Sequence, residues 1–263
     1  MPDVAGLGFL LWVFVLVPRM AFRSRARWRN AAHTVARGGA GDARASAVAS
    51  PSRVRVLATT SGFLLFLLLL SVAVGGTFGF QVFTYRSMPW QGWLLGAAAL
   101  AGCLVVRAVL RATEPPSVRA ARAAWRPVTS RERWFFVLTA VLAGVAEEAA
   151  YRGTGWQLLG WVLGDRLVMA MGLLVAAFAL AHAAQGWRAM VAVGVMAIVM
   201  HLLVWQTETL VVAMAVHVAY DLLSGLWLGA PGVVGWGEPG LAGRTGVATL
   251  MERLGSSVGR AAD

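Results

Sequence analysis

Residues 57–83 read LATTSGFLLFLLLLSVAVGGTFGFQVF, a run from Leu57 to Phe83 with no aspartate, glutamate, lysine or arginine. About twenty apolar residues, rising ~1.5 Å each, cross the ~30 Å hydrocarbon core of a bilayer, and this run is longer than that. Six further apolar blocks flank it: Val4 to Val17, Trp90 to Leu110, Trp134 to Gly160, Leu167 to Gln185, Ala189 to Gln206 and Thr207 to Leu228. Over the whole chain of 263 residues, 59% are hydrophobic and 13% charged, against roughly 45–50% and 25% in a soluble globular protein. A soluble single-core domain is excluded. The expected fold is all-α, a polytopic transmembrane bundle of about seven spanning helices with its catalytic core in helices 4 to 7. The first block is the shortest, because only fourteen residues precede Pro18 unless the helix carries on through Met20 to Phe22. Basic residues follow that block rather than lead it, so it reads as an anchor and not as a cleaved signal peptide. The single cysteine, Cys103, lies inside the third block. An intramolecular disulfide, a cysteine-based zinc finger and an iron–sulfur cluster are therefore excluded.

The net charge is +11, and all 23 basic residues are arginine. Nine of them (Arg19, Arg23, Arg25, Arg27, Arg29, Arg37, Arg44, Arg53 and Arg55) separate the first two blocks. Arg111, Arg119, Arg122, Arg126, Arg131 and Arg133 separate the third and fourth, after Arg107 at the end of the third, and Arg244, Arg253 and Arg260 lie in the tail. Clustering between spans signifies membrane topology rather than nucleic-acid binding. It places both rich loops and the C-terminus in the cytoplasm and the N-terminus outside, in an integral protein of a bacterial-type plasma membrane, with anionic headgroups as partners of the arginine-rich loops. Four regions follow: an anchor helix and Arg-rich loop at 1–56, two spans and a basic loop at 57–130, the catalytic helical core at 131–229 and a Gly-rich cytoplasmic tail at 230–263. Trp90, Trp134, Trp187 and Trp205 stand at block ends, where an interfacial aromatic belt belongs. No internal repeat is visible, which disfavours a transporter.

A charge at the centre of a spanning helix costs ~2.5–3.5 kcal/mol on insertion scales, so ionisable residues there are functional candidates. The fourth block carries Glu147-Glu148-Ala-Ala-Tyr151-Arg152, the fifth Phe178-Ala-Leu-Ala-His182 and the seventh His217-Val-Ala-Tyr-Asp221. Glu148 and Arg152 have the i,i+4 spacing and order of a helical ion pair, and such a pair alone is more often a structural lock than a catalyst. Glu147 points about 100° away around the helix, with Tyr151 as its one neighbour at that spacing, and an unpaired intramembrane carboxylate suits a general base. His217 and Asp221 share a face, so Asp221 can orient the imidazole or share a ligand. Measured from each block's centre, Glu147 and His217 lie near the midplane, and Asp221 and His182 lie ~5 to ~9 Å towards the cytoplasm. His201 reads as a helix-bridging hydrogen-bond donor.

These three motifs, in order on successive hydrophobic helices and separated by 35 positions (147 to 182) and 35 positions (182 to 217), resemble the CPBP family of intramembrane proteases. That family includes the CAAX prenyl endopeptidases and bacteriocin-processing or immunity-type relatives. The match covers about Arg131 to Leu228, and Thr207-Glu208-Thr209-Leu210 is similar to the family's threonine-containing turn, with glutamate where a small residue is common. The resemblance implies hydrolysis of a peptide bond in a membrane-associated peptide or protein, CAAX-like or a peptide precursor. Glu147 and His182 would activate water, and His217 and Asp221 would stabilise the oxyanion or hold a metal. Glu148 belongs to the same catalytic set, with Arg152, Tyr151 and Phe178 in support. A catalytic zinc would take Glu147, His182 and His217, although the family is also described with a metal-free glutamate-and-water mechanism. Asp221 stands where asparagine is frequent, and a carboxylate is the poorer oxyanion donor. Two other classes stay open at this point: a non-catalytic immunity or scaffolding membrane protein, and a haem-binding or proton-conducting bundle using His182, His201 and His217.

Overall fold

The computed structural model describes residues 4–24, 53–85, 89–115, 118 and 126–227. Among them there is no strand, and seven main helices form a bundle: α1 Val4–Ser24, α2 Arg53–Thr77, α3 Trp90–Ala112, α4 Ser130–Val162, α5 Leu167–Ala181, α6 Trp187–Thr207 and α7 Leu210–Leu222. The expected Gly-rich tail and the basic loop at 25–52 lie outside the described residues. Helices α1, α2, α3, α4 and α6 are long and apolar enough to cross a membrane; α5 and α7 are shorter.

Helix α1 does not stop at Pro18. Proline lacks an N–H and clashes with the carbonyl four residues back, and the chain meets this by widening into a π turn at Trp12–Leu16, where Val17 N–H bonds Trp12 O. The helix then reaches Ser24, and its 21 residues suffice for a span. Helix α4, for its part, begins four residues before Trp134. Thr129 Oγ1 accepts from Glu132 N at 3.2 Å while Glu132 Oε2 accepts from Thr129 N at 3.1 Å. This reciprocal cap starts the helix on a polar turn that hydropathy alone passes over. Glu132 also pairs with Arg53 at 3.3 Å, tying the start of α4 to the start of α2.

Helix α2 lies along α4, α7 packs between α4 and α3, and α6 packs between α5 and α3. Small residues set these approaches. A Cβ on Gly144 would come within 2.5 Å of Val218 Cγ2, 3.0 Å of Val218 N and 3.2 Å of Met214 O, so only glycine lets α4 and α7 touch at this point. Gly96 does the same for α3 against Val212 and Val216 of α7. Close backbone approach at small residues is the usual packing device in a membrane, where lipid removes the hydrophobic drive between helices. The outward faces are apolar, including Leu65, Phe66, Leu69, Val105, Val109, Val168 and Leu202. Trp90, Trp134, Trp187 and Trp205 are all exposed at helix ends, as a belt requires.

Helix α4 contains a second π segment, Ala149–Gly155, all seven residues of which are buried. It begins immediately after Glu148. Thr154 Oγ1 donates to Ser71 O of α2 at 2.7 Å, giving this irregular turn a cross-helix partner. Helix α6 ends where Glu208 adopts a left-handed conformation, φ 54°. Thr209 then caps α7 by accepting from Val211 N at 3.3 Å, and its hydroxyl donates to Thr84 O at 2.8 Å. The threonine turn thus pins the start of α7, and with it the register of His217.

Two of the three atoms facing a Gly144 Cβ are backbone and cannot rotate away. Gly144→Ala is expected to cost ~1–3 kcal/mol, the range for overpacking a tight contact, and to lower the melting temperature of the detergent-solubilised protein. An unchanged melting temperature would contradict this α4–α7 contact.

Candidate active site

Helix α5 ends at Ala181, and His182 sits in the turn after it, with φ −97° and ψ 10°. The block expected to continue to Gln185 instead breaks into a short 3-10 turn, Ala183–Gln185, closed by Gly186 at φ 93°. The two shorter apolar helices are thus the two that bring His182 and His217 to one cavity. A cavity of about 340 Å3 lies between them and their neighbours. Its lining includes Glu147 and Tyr151 from α4, Phe178 and His182 from the end of α5, and His217 and Asp221 from α7. Thr60 and Leu64 of α2 and Arg107 of α3 complete the part that faces the arginine-rich ends of the helices.

Glu148 is the exception among the residues expected to react. It is 0% exposed and does not line the cavity. Its Oε1 accepts from Arg152 Nη1 at 3.1 Å and from His217 Nδ1 at 2.8 Å. The orienting position behind His217, expected of Asp221, therefore belongs to Glu148. Asp221 lies instead on the cavity side, its Oδ2 3.8 Å from His217 Nε2, and Glu147 Oε2 lies 3.7 Å from the same nitrogen. Nδ1 carries its proton towards a carboxylate already paired with Arg152, which leaves Nε2 as the atom presented to the cavity. Both cavity carboxylates stand just outside direct hydrogen-bond distance of it, a separation that one water can bridge.

His182 is oriented from within its own helix. Its Nδ1 donates to Phe178 O at 2.8 Å, so Nε2 is left as the acceptor. The Phe178-x-x-x-His182 spacing is explained by this bond and by the phenylalanine ring, whose centroid is 4.8 Å from that of His182, 6.3 Å from that of His217 and 4.8 Å from that of Tyr151. Arg152 Cζ lies 4.9 Å from the same ring. Phe178 is the apolar hub round which both histidines and the arginine are set.

Arg152 spends its other donors on α6. Nη2 donates to Ala197 O and Nε to His201 Nδ1, each at 3.1 Å. An arginine Nε–H can only donate, so His201 joins α6 to α4 through Nδ1, which also lies 3.0 Å from Ala197 O of its own helix. Its Nε2 has no hydrogen-bond partner and its ring meets the Trp156 ring edge to face at 5.4 Å.

Among the described residues no group of three His, Cys, Asp or Glu side chains is disposed to hold a metal ion. Glu147, His182 and His217 all line the cavity, and a carboxylate with two imidazoles is a donor set that a zinc ion accepts. Arg107 and Tyr220 line the cavity although neither stood out in the sequence. Arg107 lies inside an apolar block, and the rule that singles out intramembrane charge applies to it, but its nearness to Arg111 makes it read as a loop residue.

Residues 129–223 match the family model described as Rce1-like, the type II CAAX prenyl endopeptidase Rce1-like proteins. The matched segment runs from the cap of α4 to the end of α7 and contains Glu147, Glu148, Arg152, His182, His217 and Asp221. The resemblance carried by the three motifs holds over this segment, and the activity named for that family is a CAAX prenyl endopeptidase's. Helices α1 to α3 lie outside it. No curated protein matches the chain, and no solved structure matches it.

Removing one partner of a buried ion pair strands the other, at a cost of ~3–5 kcal/mol. Arg152→Met is expected to destabilise the protein by about that much in thermal or denaturant unfolding. The double variant Glu148→Leu with Arg152→Met should lose less than the sum of the two single losses. Strict additivity would show that the pair is not coupled.

Proposed function

We propose that this protein is an endopeptidase that cuts a CAAX-type or other membrane-associated peptide inside the bilayer. A water molecule between Glu147 and His182 would give a proton to the Glu147 carboxylate while its oxygen attacks the scissile carbonyl carbon. His182 Nε2 accepts the water's second hydrogen and fixes its direction. The tetrahedral oxyanion then takes a hydrogen bond from His217 Nε2 in its protonated form, the ring being held from behind by Glu148 through Nδ1. When the C–N bond breaks, the proton on Glu147 passes to the departing amine, and the new carboxyl terminus leaves with the other fragment. Asp221 lies beside His217 Nε2, where it balances a charged imidazole; it is not an oxyanion donor when ionised.

The observation that carries this reading is the convergence of Glu147, His182 and His217, from three helices, on one cavity within an apolar bundle. Each is an expensive placement for a residue with only a packing role. General acid–base groups contribute ~10²–10⁴ to rate. Glu147→Gln, His182→Ala and His217→Ala should each reduce cleavage of a prenylated CAAX peptide by about that factor, with melting temperature near wild type for Glu147→Gln. Full activity of the Glu147→Gln protein would reject hydrolysis at this site and leave the bundle as a partner-binding scaffold.

A further inference from the structure

Arg107 is the one charged side chain of the described cavity lining for which the hydrolytic scheme has no task. It sits in α3, outside the matched residues 129–223. Its Nη2 donates to Ser224 O at 3.4 Å, and its Cζ lies 5.8 Å from the Tyr220 ring centroid. Its Nε is buried with no hydrogen-bond partner. Tyr220 and Asp221 both lie within reach of its charge, yet among the described residues no carboxylate forms an ion pair with it. A guanidinium offers a planar fork that fits a carboxylate in two parallel hydrogen bonds. Here the fork faces a cavity, inside an apolar helix, with its position held by a helix-end carbonyl and a tyrosine.

We propose that Arg107 binds the free α-carboxylate at the C-terminus of the substrate peptide, and so sets how far from that end the chain is cut. The inference rests on the endopeptidase reading and assigns a specificity residue to it. The distance follows from α7. From His217, beside the scissile bond, to Ser224, beside Arg107, is seven residues of helix, or ~10 Å of rise. An extended peptide covers ~3.3–3.6 Å per residue, so about three residues separate the broken bond from the anchored carboxylate. The released fragment would lie along α7 past Asp221 and Tyr220. An ionised Asp221 repels a carboxylate that strays towards His217, which favours the Arg107 end of the cavity for the negative terminus.

The test uses the full chain in lipid nanodiscs and two prenylated peptides, identical except that one ends in a free carboxylate and the other in an amide. Wild type should cleave the acid with a kcat/KM roughly ten- to a hundredfold above that of the amide, the range for a hydrogen bond to a charged group. Arg107→Gln should lower the acid to the level of the amide through KM, while Arg107→Lys, which keeps the charge without the fork, should fall between. Lengthening the acid by one C-terminal residue should move the cut one bond along, as read by mass spectrometry. Equal cleavage of acid and amide by wild type would overturn the assignment. So would an acid-to-amide ratio preserved in Arg107→Gln, or an amide carrying a glutamate side chain near its end that performs as well as the acid. Wild type that cuts neither peptide would sink the hydrolytic reading instead. In that case anisotropy of labelled peptides on the Glu147→Gln protein decides: acid-selective binding lost with Arg107→Gln supports the carboxylate site, and unselective binding overturns it. Should Arg107→Gln fail to fold, the acid-to-amide ratios of wild type and of Arg107→Lys decide instead: a ratio that falls in Arg107→Lys supports the site, and an unchanged one overturns it.

Discussion

The carboxylate of Glu148, wholly buried, is shared by Arg152 and His217, and the geometry of the site descends from that arrangement. A carboxylate taken out of water carries a penalty of several kcal/mol unless well partnered. Here one oxygen has two donors, and the arginine that balances it is in turn tied to Ala197 O and His201 on α6. One charge therefore fixes three helices, α4, α6 and α7, at a single level. The imidazole of His217 has no freedom to present anything but Nε2 to the cavity. The glycine at 144, one turn before Glu148, brings α7 close enough for the bond to form.

The π segment directly after Glu148 belongs to the same arrangement. Single-turn π widening in an α-helix is common where side chains must be aimed, and in this helix it falls between the paired glutamates and the second half of the span. Glu147 and Tyr151 reach the cavity while Glu148 and Arg152 point behind it. A doubled glutamate thus separates into a cavity-lining group and an orienting group according to the face of the helix on which each falls. Phe178 finishes the division: its ring lies against Tyr151, His182 and Arg152 together, so the polar groups on its two sides do not mix.

Much of this could be read in the residues before any coordinates, because bilayer thickness and the cost of intramembrane charge are blunt constraints that leave plain traces. The apolar blocks mark the seven helices, and the cost of intramembrane charge singles out Glu147, His182, His217 and Asp221, which the fold brings to one cavity. Other features depend on contacts between distant segments. The role of Glu148 needed His217 from α7, 69 positions away, and no spacing on α4 carries that information. His201 meets Arg152 of another helix, and Arg107 became a cavity residue because α3 leans on the end of α7. The continuation of α1 through Pro18 depended on a π turn, which hydropathy does not register. Helix ends shifted for the same kind of reason, as with the Thr129–Glu132 cap and the break at His182.

Hydrolysis of the proposed kind would need water at Glu147 without an open path through the bilayer, and the same buried pair bears on this. A second cavity, of about 350 Å3, is lined by Thr84 before α3, by Arg152, Gly153, Trp156 and Gln157 in the far half of α4, and by Trp205 at the end of α6. It belongs to the opposite ends of the helices from the first, and the two share no lining residue. Between them stand Glu148, which lines neither, and the guanidinium of Arg152, whose Nε, Nη1 and Nη2 each donate to a protein acceptor. Each guanidinium nitrogen is thus engaged, while Glu148 Oε2 is buried without a hydrogen-bond partner; the Phe178 ring lies against the guanidinium and the Trp156 ring against His201. The two cavities are therefore separated by the same interaction that orients His217.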